Sequence, residues 1–311
     1  MMITSPRVPR LAGLLCIAAM ALLATGAGGW AQQPFNTPSD AATALVEAVR
    51  RSDTNQLREI LGAGAREILS SGDEVSDAAD RKRFLEAFDS RHSVSESGDK
   101  ATLLVGADEF PFPIPLMRKG EAWRFDTAAG RREILARRIG RNELAAMQTS
   151  LAVLDAQQEY AARDRTSQGP GVYAQQIVSR AGKKDGLYWD AAAGEEQSPL
   201  GELAAQAAAE GYAPGERPRP FHGYIYKVLR RQGPAASGGA IEYVARGRMI
   251  GGFALLAYPA EYGRSGVMSF MLSHAGKIYQ KDLGPRTSRL AAGINSFNPD
   301  KGWEQVTPAQ P

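Results

Sequence analysis

Between residues 38 and 90 the apolar positions recur every three or four residues, the spacing that lines one face of a helix. Ala42, Leu45, Val46 and Val49 form a first such face, with Ser39-Asp40 placed to cap it. Leu57, Ile60 and Leu61 form a second, started by Asp53 and Thr54 and stopped by Gly62 and Gly64. Phe84, Leu85 and Phe88 mark a third helix over residues 76–90. The period then drops to two. Segments 92–97, 101–106, 110–116 and 122–126 alternate as four strands joined by short polar turns. In "FPFPIPL" (110–116) prolines 111, 113 and 115 delete the N–H donors along one edge of the strand. That edge cannot take a regular neighbour, so the segment is expected at a sheet edge or under a loop. A proline-rich ligand for a partner is the alternative.

Helical spacing returns from Gly130 to Asp164, with Leu144, Met147, Leu151 and Leu154 on one stripe and Gly140 placed to break the helix in two. Residues 165–221 are loop-rich, except where Ser198-Pro199 opens a short alanine-rich helix that Gly211 closes. Five antiparallel strands are then expected at 222–230, 241–246, 250–258, 266–274 and 276–281. The fold class is α+β in two modules. Residues 36–127 form helices plus an antiparallel meander, and 128–290 form a long helix packed on a five-stranded antiparallel sheet, with 291–311 as a tail. All ten tyrosines lie between 160 and 279, which sets the second module apart in character.

Residues 1–31 change the picture of where the chain works. Arg7 and Arg10 precede an apolar run from Leu11 to Ala24, and Gly29-Trp30-Ala31 suits a signal peptidase. The run is shorter than the ~20 residues of a comfortable membrane span. The expectation is a cleaved export signal and a periplasmic or extracellular protein, with a retained anchor as the alternative. The single cysteine, Cys16, falls inside this run, so the mature chain has no thiol. Disulfides, thiolate nucleophiles and thiolate metal sites are thereby excluded from it. Arg7 and Arg10 being the leader's only charged residues, the mature chain carries 35 basic and 34 acidic side chains. So even a balance gives no general attraction for nucleic acid, and no membrane span is expected beyond the leader.

Candidate chemistry is sparse. His92, His222 and His274 share no metal-ligand spacing, so neither a metal nor a cofactor is expected. Gly263-Arg264-Ser265-Gly266 fails as a nucleophile elbow, because that turn wants its last glycine two residues after the serine. Ser198 or Ser265 with His222 remains a hydrolase reading that geometry must decide. The arginines at 131, 132, 137, 138 and 141 read as a solvated face partly paired with Glu133 and Glu143. Tyr188, Trp189, Tyr224, Tyr226, Tyr258 and Tyr262, with Glu261, are candidates for a cleft that binds an envelope polymer or a protein partner. The competing reading is that these rings pack the sheet against the long helix.

The blocks "SGDEVSDAADRKRF", "PFPIPL", "RRIGRNEL", "DAQQEYA", "HGYIYKVLRRQG" and "GGFALLAYPAEYGRSGVMSF" resemble a bacterial family of exported proteins, the domain of unknown function numbered twenty-nine fifty. The resemblance runs over nearly the whole mature chain and brings no catalytic residue with it. In order of elements, residues 38–127 also resemble nuclear-transport-factor-2-like cone domains, and 141–284 the globular part of pilins. These readings together favour a non-enzymatic, envelope-associated binding protein. A serine hydrolase acting on an envelope polymer and a pilus-like scaffold component are the alternatives.

Overall fold

The computed structural model describes residues 32–165, 167, 169–192, 194–212 and 219–307, so the leader expected over 1–31 lies outside them. Helix α1 (Pro38–Arg50) starts one turn position earlier than Ser39-Asp40 suggests: the Thr37 hydroxyl accepts the Asp40 N–H at 3.0 Å and Pro38 takes the first helical place. Helix α2 (Thr54–Leu61) is capped by Asp53 and ended by Gly62, as expected. A short α3 (Ala65–Leu69) follows, then α4 (Glu74–Ser90), whose cap is Asp73. Their apolar faces, with Ala41, Leu45, Leu57 and Ile60 fully buried, cover a first antiparallel sheet.

That sheet is made of β1 (His92–Ser97), β2 (Lys100–Val105), β3 (Phe110–Pro111), β4 (Leu116–Lys119) and β5 (Ala122–Phe125). Its order is β1-β2-β4-β5, with β3 also paired to β2. The expected strand 110–116 is thus split in two. The Phe112 N–H still reaches the Leu103 carbonyl at 2.8 Å, which turns the alternate, proline-blocked side away from β2. No strand among the described residues pairs with β3 on that side.

Helix α5 (Thr127–Ala162) runs unbroken for 36 residues, about 54 Å. Gly140 does not divide it. The ~1 kcal/mol that a helical glycine costs is outweighed by side chains on either side: Arg138 is tied to α3, and Asn142 and Glu143 to the 265–268 segment. Of the leucine stripe, Leu154 is buried and Met147 and Leu151 pack against the core, but Leu144 is exposed, and the buried face also takes in Ala146, Ser150, Val153, Gln157 and Tyr160. Helix α6 (Gly201–Glu210) begins after Leu200 rather than on a Ser198 cap, and ends at Gly211 as expected.

The second large sheet contains β6 (Tyr224–Leu229), β11 (Ala254–Pro259), β12 (Met268–Ser273), β13 (Ile278–Asp282) and β14 (Glu304–Val306). The order is β14-β13-β12-β11-β6, all antiparallel. Residues 241–246, expected as a full strand, instead form two small ribbons: β7 (Arg231–Gln232) with β8 (Ile241–Glu242), and β9 (Val244–Ala245) with β10 (Arg248–Met249). The fifth strand comes from β14, inside the segment read as a tail. Helix α7 (Thr287–Gly293) and α5 both contact β11. Tyr226 is beside Thr149 of α5, and the next residue, Lys227, meets the end of α7, so the two helices lie on opposite faces. Both faces being covered, Ala254 to Ala257 are all buried, which is why "FALLAY" shows no alternation.

Gly130 lets α5 cross close over Ile114: a Cβ there would stand 2.7 Å from the Ile114 Cα. Gly130→Ala should destabilise the protein by about 1–3 kcal/mol in denaturant unfolding. Gly140→Ala, whose Cβ meets open space, should stabilise it by up to about 1 kcal/mol.

Candidate functional site

The "EYGRSG" turn of 261–266 docks onto the N-terminal helices. Arg264 donates from Nη2 to the Ser70 carbonyl at 2.8 Å and from Nη1 to Glu261, and Glu261 lies against Gly72. The Ser265 carbonyl accepts from Asn142 of α5 at 2.9 Å. Glu143 Oε1 accepts the Val267 and Met268 N–H groups at 3.0 and 2.9 Å, fixing the start of β12. Below this turn lies Asp73, 3% exposed. Its Oδ1 accepts the Ser76 N–H at 3.0 Å, and its Oδ2 accepts the Tyr212 O–H at 2.8 Å and the Gly223 N–H at 2.9 Å. Burial first, and then Asp73, push the Tyr212 pKa up. Arg138, expected on a solvated face, is instead buried and caps α3 through the Glu67 and Ile68 carbonyls at 3.2 and 2.7 Å. Burial pulls its pKa down, opposed by Asp77 and Asp80.

The residues weighed for hydrolysis do not converge. The Ser265 hydroxyl is committed to one backbone residue, accepting the Glu261 N–H at 3.0 Å and donating to the Glu261 carbonyl at 3.1 Å. His222 sits in the left-handed region, φ 49°, with its ring against Phe221 and Tyr212 and Nε2 3.4 Å from Glu210. No hydrogen bond among the described residues joins His222 to Ser198 or Ser265. Nor do three or more His, Cys, Asp or Glu side chains gather in a metal-holding group among those residues.

The aromatic candidates are dispersed through the second module. Tyr224 is fully buried and donates to the Met268 carbonyl at 2.8 Å. Gly266 is required beside it, because a Cβ there would fall 2.2 Å from the Tyr224 hydroxyl. The Tyr226 hydroxyl is shut from solvent beside Thr149, without a hydrogen bond of normal geometry. Tyr258 is half-buried on the other face of the sheet, opposite Ile225. Tyr262 donates to Asp282 at 3.2 Å and Tyr188 to Asp190. Trp189 is buried, donates to the Glu196 carbonyl at 3.1 Å, and lies under Lys184 and Arg165. Tyr224 and Trp189 belong to the core, and Tyr226 and Tyr258 pack against it from opposite faces of the sheet.

A groove of about 390 Å³ opens elsewhere, along β6 at the edge of the sheet. Lys227, Arg230, Arg231, Glu242 and Asn295 are its polar lining, over Val228 and Val244. Composition hid it, because the chain as a whole is nearly neutral. The local signal was "YKVLRRQG", where a basic triplet interrupts the strand pattern.

Asp73→Ala would strip a helix cap and leave the Tyr212 and Gly223 donors unpaired, so unfolding free energy should fall by about 3 kcal/mol in denaturant titration. Burial also pushes the Tyr243 pKa from 10.0 to about 12, and raises those of Tyr224 and Tyr226. The protonated phenols are favoured by the fold, so this stability is complete below pH 10 and drains away as pH climbs above it. Tyrosinate absorbance from these rings should therefore rise together with loss of the circular dichroism signal, not ahead of it.

No helix among the described residues is long and apolar enough to cross a membrane. No curated protein and no solved structure matches the chain, so the cone-like and pilin-like comparisons rest on order of elements alone. A family model described as "Protein of unknown function (DUF2950)" matches residues 32–306, from the first described residue through β14. Those limits enclose both sheets, α5, the Asp73 junction and the groove, and the chain belongs to that family.

Proposed function

We propose that this is an exported, non-enzymatic binding protein of the bacterial cell envelope, which holds an envelope polymer or a protein partner. The observation that carries the reading is the groove along β6, open at the edge of a rigid sheet and lined by polar side chains. Support also comes from what the other candidates are doing: Ser265, Tyr224 and Trp189 spend their polar atoms on the chain itself. The leader-like residues 1–31 support a reading in which the binding takes place outside the cytoplasm.

Co-sedimentation of the purified protein with isolated peptidoglycan sacculi, beside a broad panel of hydrolase substrates, tests this. The expected result is saturable pelleting without turnover. Turnover that disappears in Ser198→Ala or His222→Ala would establish the hydrolase reading instead.

A further inference from the structure

The charges around the groove are unequally answered. The Lys227 ammonium has three donors and three acceptors: the Ala292 carbonyl at 3.0 Å, the Ile294 carbonyl at 2.7 Å and Asn295 Oδ1 at 2.9 Å. All three are neutral groups, so its hydrogen bonds are satisfied while its charge is not. Arg230 is exposed and has no side-chain hydrogen bond or ion pair among the described residues. Arg231 meets only Glu242, at 3.6 Å, with side chains 51% and 69% exposed. Such a pair is weak and exchangeable. Three cations against one carboxylate leave the groove with two positive charges in excess, on a chain that is elsewhere balanced.

Resting on the binding reading above, we propose that the groove is an oxyanion site that takes a phosphate or carboxylate group, with Arg230 and Arg231 as contact residues and Lys227 as a fixed charge behind them. Guanidinium forks match the planar pairs of oxygens that both groups present. Lys227 cannot turn towards a ligand without abandoning the end of α7, so it acts through its field. Burial pulls its pKa down, and a bound anion would relieve that. Glu242 competes with the anion for Arg231, so a ligand must draw that guanidinium from the exposed pair. The valine floor gives the ligand's apolar body a surface to rest on. The oxyanion can be free or a substituent of an envelope polymer.

The test is calorimetric titration of the purified protein with inorganic phosphate, acetate, a phosphorylated oligosaccharide and the same oligosaccharide without phosphate. Wild type is compared with Arg230→Ala and with Arg132→Ala, which removes an equal charge from an exposed position on α5. The expected result is that anions bind wild type and the Arg132 variant alike, and the Arg230 variant about tenfold or more weakly. Affinity should fall as salt rises. Binding by phosphate alone identifies a free anion as the ligand, and binding confined to the phosphorylated oligosaccharide identifies the polymer. Equal anion binding by the Arg230 variant, or none by wild type, overturns the proposal. Equal binding of the neutral oligosaccharide by all three proteins overturns it while leaving the binding reading intact. Only turnover, or loss of sacculus binding, defeats that reading too.

Discussion

The Asp73 carboxylate is withdrawn from water and accepts donors from three separate stretches of chain: the first turn of α4, the residue after α6, and the entry to β6. A buried carboxylate is costly unless its oxygens are answered, so these stretches are obliged to arrive together. The obligation spreads outward. Bringing the Gly223 N–H to Asp73 holds His222 and Gly223 both in the left-handed region, a conformation that a histidine accepts only under constraint. It also sets β6 in place, and with it the groove. The neighbouring polar groups, Arg264 on Ser70 and Arg138 on α3, repeat the same device of a charged side chain closing backbone carbonyls.

Much of the architecture was legible because apolar period is a local property. The Asp53 cap, the Gly62 and Gly211 stops and the proline-blocked edge at 110–116 each depend on residues within one turn or strand. What the sequence concealed depends on residues far apart. Asn142, Glu143 and Gln157 read as ordinary polar positions on a helix, yet Asn142 and Glu143 hold a segment more than 120 residues away and Gln157 holds the loop at Ala174. The leucine stripe held in part: Leu154 is buried and Met147 and Leu151 pack against the core, while Leu144 is exposed. Gly140 misled because propensity is weak beside tertiary anchoring. The aromatic residues looked like a site because they are clustered in sequence, but strand alternation sends Tyr226 and Tyr258 to opposite faces. The groove was the hardest to see. It joins residues 227–231 with 242–244 and 295, and a whole-chain sum of charge does not show where its cations gather.

The division of labour between the two kinds of charged group is instructive. At the Asp73 junction the carboxylate, the Tyr212 hydroxyl and the Gly223 N–H are all spent on the chain. Along β6 the hydrogen bonds of Lys227 are complete while its charge is left over, and Arg230 is left with both. A group that is satisfied in geometry but not in charge is held still and remains attractive at a distance. That combination suits recognition of a charged group.

The order of strands in the second sheet, β6 to β11 to β12 to β13 to β14, follows the chain. Each new strand is laid against the one before it, so the sheet can lengthen in the sequence in which a threaded chain is delivered. For a polypeptide emerging from a narrow conduit, no early strand must wait for a distant partner before pairing. The newest edge is always the one that grows, and no later strand of this sheet is laid along the outer edge of β6.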